Sequence, residues 1–250
     1  IRKPATSLVQ FFENRVPLEE IALPTRIEGL RLIPGNINSQ DTDNLTVTQK
    51  QKLFRHLKKL QADHVVLDLG AGTQYDTLDT FLLADTQVAV LAPDALATEN
   101  FYLFLKNLKY RQLSHVLSEL GIRDRVRELW KHRAEYGITT TKTLVAYLRA
   151  HIPEFTERFD REQARLRAHI VLNQVREYRQ TEMGRSVTSA VNKFFHIPAT
   201  YAGHVRYDKE VWSLLGQEGQ VLHPKASFTL RQDLEKITEG ILRIQGEAQP

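Results

Sequence analysis

Five short apolar runs, each closed by a turn former, limit what this chain can fold into: residues 30–33 before Pro34-Gly35, 64–69 before Gly70, 87–92 before Pro93, 169–172 before Asn173, and 201–205. The runs are near-continuously apolar rather than alternating. That is the pattern of strands buried on both faces of a parallel sheet, where every side chain meets a covering layer. Between the runs the spacing becomes helical. Leu53, Leu57 and Leu60 share one face of a helix expected from about Thr46, and Phe101, Phe104, Leu105 and Leu108 share another after Asp94, whose carboxylate suits an N-cap. Strand and helix alternate, so the expected fold class is α/β: a doubly wound, mainly parallel, three-layer sheet in one domain over residues 1–250. A late helix at about 227–242 closes it.

Residues 106–168 break the alternation. No strand pattern occurs there, and helical patterns follow one another at 113–120, 125–135, 141–150 and 155–167, punctuated by Gly121, Gly137 and Pro153. The segment is read as a helical insertion between two strands. It also holds the basic character: from Lys106 to Arg167 there are 14 Lys and Arg against 8 Asp and Glu, while the rest of the chain carries 20 against 22. Such an excess fits docking to an anionic partner, DNA or a membrane surface, and fits equally a solvated face with pairs such as Glu128 with Lys131 or His132.

The absence of cysteine removes disulfides, thiolate metal sites and cysteine nucleophiles. The nine histidines show no metal-binding spacing, and no G-x-S-x-G elbow occurs. No apolar run approaches the roughly 20 residues that span a bilayer. A cytoplasmic protein is expected, with a peripheral place at a membrane left open.

Residues 67–76, Leu-Asp-Leu-Gly-Ala-Gly-Thr-Gln-Tyr-Asp, hold the strongest chemical signal. An apolar run feeding a Gly-rich turn is how several nucleotide-using folds open their site. An S-adenosylmethionine-dependent methyltransferase is one reading. It lacks a further Gly where Gln74 stands and an acid where the run 87–92 ends in Leu91-Ala92-Pro93.

The longer order of features resembles the MinD, FlhG and ParA group of P-loop ATPases, most of all its flagellar-number and cell-positioning branch. A run ends in Asp68-Leu69-Gly70-Ala71-Gly72, the next leads to Pro93-Asp94, a later one ends at Asn173, and Arg206-Tyr207-Asp208 follows the last. The opening, through Leu18-Glu19-Glu20 to Ile33-Pro34-Gly35, is similar to the stretch after that family's second strand. The resemblance implies a P-loop NTPase-like sheet, ATP with Mg2+, and ATP-dependent homodimers that act on a protein partner of unknown identity. It implies that Asp68 holds a water of the magnesium ion and that Gly72 brings a backbone N–H to the terminal phosphate, the two catalytic positions. Ala71, Asn173, Arg206 and Asp208 would bind the nucleotide, Asn173 reading adenine through its paired donor and acceptor.

One part of that pattern is missing. No G-x-x-x-x-G-K-[ST] stretch occurs in the 250 residues, and in the family this loop precedes the point that matches Ile1. This chain alone is therefore expected not to hydrolyse ATP. A non-catalytic interaction module on a decayed ATPase fold stands beside the methyltransferase as an alternative.

Overall fold

A computed structural model of the chain describes residues 8–13, 15–35, 46–209, 211 and 228–247. Contacts divide the chain into two compact units, one of residues 1–69 with 210–226 and one of residues 70–209 with 227–250.

In the first unit, α1 (Leu8–Phe12) and α2 (Leu18–Ile21) precede an antiparallel pair, β1 (Leu23–Pro24) with β2 (Arg31–Leu32), and α3 (Val47–Leu57) follows. Thr46 caps α3 as expected. Its hydroxyl accepts the Gln49 N–H, and the Gln49 carboxamide oxygen accepts the Thr46 N–H at 2.9 Å, so two orphan donors of the first turn are satisfied. Leu53, Leu57 and Leu60 pack on buried Phe11, Leu18 and Ile21, using the leucine face that the spacing predicts.

Two expected strands need correction here. The run 30–33 yields only the two-residue β2, and it pairs antiparallel. Residues 64–69 form no strand: Val65 is 44% exposed and Val66 89%. An extended apolar run becomes a strand only when a neighbour takes up its N–H and C=O groups. Among the described residues none does so for 64–69.

The second unit holds a parallel sheet of order β3 (Gln87–Leu91), β4 (Ala168–Val175), β5 (Ala199–Arg206), with Gln87 opposite Ala168 and Ala168 opposite Ala199. Central β4 is buried at five successive positions from Ala168 to Leu172, so both its faces are covered. The chain is therefore of α/β type, with a three-stranded parallel core flanked by helices. The helix α4 (Tyr75–Leu83) leads into β3, and α5 (Ala95–Glu119) leaves it under the expected cap, Asp94 Oδ1 accepting the Ala97 N–H at 2.7 Å. The helical patterns at 101–108 and 113–120 merge into this one helix of 25 residues, because no Gly or Pro interrupts them.

The insertion continues as α6 (Arg123–Lys131), α7 (Thr141–His151) and α8 (Pro153–Ala164), with Pro153 in the first turn of α8, where its missing N–H costs nothing. These helices share a core of their own. Leu113, Val116 and Leu117 of α5 meet Val126, Ile138, Leu144, Leu148, Phe155 and Phe159. Beyond β4, α9 (Thr181–Ala190) packs on β4 and β5, and α10 (Phe228–Glu247) packs on β5. The expected start of α10 at Ser227 lies outside the described residues.

Gly203 decides how closely α10 can approach. Its φ of +139° falls where the β4–β5 register shifts, and a Cβ there would stand 2.9 Å from Ile237. Replacing Phe155, which is fully buried and stacks on Phe159 at 5.1 Å, should test whether the insertion is a packed core. Phe155→Ala is expected to cost about 3–5 kcal/mol in urea unfolding. A loss below about 1 kcal/mol would mean that the insertion is loosely packed.

Candidate functional site

In a parallel sheet, every strand presents its carboxyl end on the same side, and ligands of such sheets gather there. Asn173 and the segment 206–208 meet at that side. Val175 pairs with Arg206, and the Tyr207 N–H donates to the Val175 carbonyl at 2.9 Å. The Asn173 Oδ1 accepts the N–H of Gln174 at 2.9 Å, and Gln174 itself has a φ of +62°, so the amide props an irregular strand end. Its Nδ2 has no partner among the described residues. Arg176 lies over the Tyr207 ring at 4.3 Å, and Asp208 is half-buried.

Arg206 has a structural duty that its sequence position does not reveal. Its guanidinium and its backbone N–H both bind Asp233 of α10, with Nη2 to Oδ1 at 2.8 Å and N to Oδ2 at 3.0 Å. Burial works against the charge of Asp233, but these bonds outweigh it and hold the carboxyl below its usual range. The guanidinium thus anchors α10 to the end of β5.

The Gly-rich turn is open. Asp68 is exposed in irregular chain of the first unit, while Ala71 and Gly72 are exposed in the second. Gly72 has a φ of +129°, and a Cβ there would meet nothing within 4 Å. Backbone freedom therefore selects glycine at this position, and the space beside it is free for a ligand to approach.

Next to the turn lies a cluster that sequence spacing could not reveal. Asp79 of α4 accepts two bonds from Arg111 of α5, from Nε at 2.6 Å and Nη2 at 2.8 Å, and meets His115 Nε2 at 3.0 Å. Tyr75, at the start of α4, places its ring 4.6 Å from the same guanidinium. Burial opposes the charge on Asp79, yet the hydrogen bonds from His115 and Arg111 and their charges hold its carboxyl well below the usual carboxylate range. The partners are 32 and 36 residues away, beyond any local motif.

Among the described residues, six of the fourteen basic side chains of the insertion pair with acids of the same segment. Arg127 pairs with Asp124, Lys131 with Glu128, Arg149 with Asp160, Arg158 with Glu119, Arg161 with Glu157 and Arg165 with Glu162. Arg125 is exposed and makes no such pair among the described residues. No group of three or more His, Asp or Glu residues among them is arranged to hold a metal ion, and no described helix is long and apolar enough to cross a membrane.

The Asp79 cluster yields a pH test. The folded pKa lies below the unfolded value of about 3.9, so the stabilisation is complete above that value and is lost as pH falls through the lower folded one. Asp79→Asn should cost about 3 kcal/mol in urea unfolding at neutral pH, and its gap from the wild type should narrow below about pH 4. A gap independent of pH would remove the ionic account. No protein-family model matches this sequence, and no curated protein matches it.

Proposed function

We propose that this chain is the greater part of an ATP-dependent switch protein of the MinD, FlhG and ParA kind, carrying the switch turn and the adenine-side strand ends but not the phosphate loop. The observation that supports this reading is the state of β3. Among the described residues it is an edge strand of its sheet, its positions alternate between buried and exposed, and Val88 and Val90 are 39% and 60% exposed. Parallel sheets are covered on both faces, and their strands pair along both edges except at the rim. One strand with a bare apolar face and an open edge is what remains when a strand and its covering helix are supplied by other residues. A phosphate-loop strand and helix would meet both needs at once.

In this reading Asp68 orders the hydrated magnesium ion, and the N–H of Gly72 contacts the terminal phosphate across the open turn. Asn173 offers its free Nδ2 to the base. Arg206 borders the site without offering its guanidinium or its N–H, both of which Asp233 holds. Two subunits would close on ATP, and loss of the terminal phosphate would release the turn and with it a partner surface. The protein would work in the cytoplasm or at the inner face of a membrane.

The coding sequence upstream of Ile1 provides the first test, since the proposal requires a G-x-x-x-x-G-K-[ST] loop there. The protein so extended should bind ATP with Mg2+ saturably, and Asp68→Ala should weaken that binding at least about tenfold. Saturable S-adenosylmethionine binding without any response to ATP would establish the methyltransferase instead. An upstream sequence without the loop would favour a non-catalytic module. For the insertion, reversing Arg125, Arg127 and Lys131 to Glu should weaken retention on DNA or acidic vesicles. Unchanged retention would make this face a merely solvated one.

A further inference from the structure

Away from the strand ends, Arg185, Ser186, Ser189, Ala190, Lys193 and Phe194 line a shallow open groove of about 480 Å3. They come from α9 and from the π turn Val191–Phe195 that prolongs it. In a regular helix, residues 185 to 194 would be spread over about 180° of its circumference. A π turn advances by a smaller angle per residue, so it draws Lys193 and Phe194 back toward the stripe of Arg185 and Ser189. This turn is held firmly. Asn192 donates to the carbonyls of Thr188 and Ala199 at 2.9 and 3.0 Å and accepts the Ala199 N–H at 3.1 Å, and His196 closes the turn in the left-handed region with a φ of +51°.

The groove is lined by donors without acceptors. Arg185 and Lys193 are exposed and form no ion pair among the described residues. The hydroxyls of Ser186 and Ser189 make no hydrogen bond among the described residues either. Elsewhere in this chain helical hydroxyls bond back to the preceding turn: Thr188 to the Gly184 carbonyl at 2.7 Å, Ser118 to Ser114 at 2.9 Å, Thr80 to Asp76 at 2.7 Å. Phe194, 69% exposed, forms an apolar wall with the Lys193 ammonium 5.4 Å from its ring centre. Glu182, one turn earlier, does not line the groove.

A guanidinium, an ammonium and two free hydroxyls around one apolar wall match a tetrahedral oxyanion joined to an organic group. The guanidinium takes two oxygens side by side, the ammonium acts as a point charge, and the hydroxyls fill the remaining directions. We propose that this groove binds the phosphate of a phosphomonoester whose organic part lies against Phe194. The proposal uses none of the strand-end residues and stands whether or not the chain belongs to an ATPase.

Calorimetry at low ionic strength with inorganic phosphate and phenyl phosphate, beside co-sedimentation with phosphatidylcholine vesicles with and without phosphatidic acid, tests it on the full chain. Saturable binding of phenyl phosphate, tighter than that of inorganic phosphate, should fall at least about tenfold in the double variant Arg185→Gln with Lys193→Gln. Phe194→Ala should erase only the preference for the phenyl ester. If the vesicles bind instead, the dependence must be on phosphatidic acid and must vanish in the same double variant, which assigns the phosphate to a lipid headgroup. All these side chains are exposed, so unchanged circular dichroism is expected in each variant. Absence of saturable binding in every arm, binding unaltered by the double variant, or sedimentation that needs no phosphatidic acid would overturn the proposal.

Discussion

The parallel sheet depends on one buried carboxamide. Gln87 opens β3 and is 1% exposed; its Nε2 donates to the Ala84 carbonyl at 2.6 Å and reaches the Arg165 carbonyl at 3.5 Å, while its Oε1 accepts the Arg167 N–H at 3.1 Å. Its backbone also stands opposite Ala168 in the β3–β4 ladder. The whole helical insertion leaves after β3 and must return here, and closing so long an excursion costs entropy that only nonlocal bonds can offset. The insertion can vary around its own core as long as its returning end, at residues 165–168, docks on this residue. That separation explains how a helical body with its own buried cluster can sit within an α/β sheet without disturbing the register of β4 against β3.

From β4 outward, the candidate site follows. Parallel pairing brings the ends of β4 and β5 to one side, so Asn173 and residues 206–208 converge although they lie more than 30 residues apart. Their convergence was legible in the sequence, because each closes an apolar run of strand length. The duties of individual side chains were not. Arg206 faces the predicted site by position, yet Asp233 takes its guanidinium, and a buried carboxylate of this kind is too costly to leave unpaired.

The run 64–69 teaches the opposite lesson. It has the composition of a buried strand and is followed by the most suggestive turn in the chain, but Val66 is almost fully exposed and no ladder forms. Hydrophobic pattern reports what a segment can do when a neighbour is present, not whether the neighbour is there. β3 shows the same thing from the other side, with Val88 and Val90 bare on one face. Charge behaved similarly. The excess of basic residues in the insertion was plain from counting, but among the described residues the helical geometry pairs half of them with acids three or four residues away or on a facing helix.

What the sequence by itself determined was local. Thr46 and Asp94 as caps, Pro153 at a helix start, the leucine face of α3 and the strand character of 87–92, 169–172 and 201–205 all rest on interactions within a turn or two, where residue type and spacing are sufficient. The tertiary structure alone decided which apolar runs found ladder partners, that Asp79 would hold Arg111 and His115, that Asp233 would claim Arg206, and that α10 could lie against Gly203. Apart from the short β1–β2 pair, these choices join residues 27 to 81 positions apart. They are set by burial and by the need to pair every buried charge and ladder group, conditions that exist only once the chain has closed on itself.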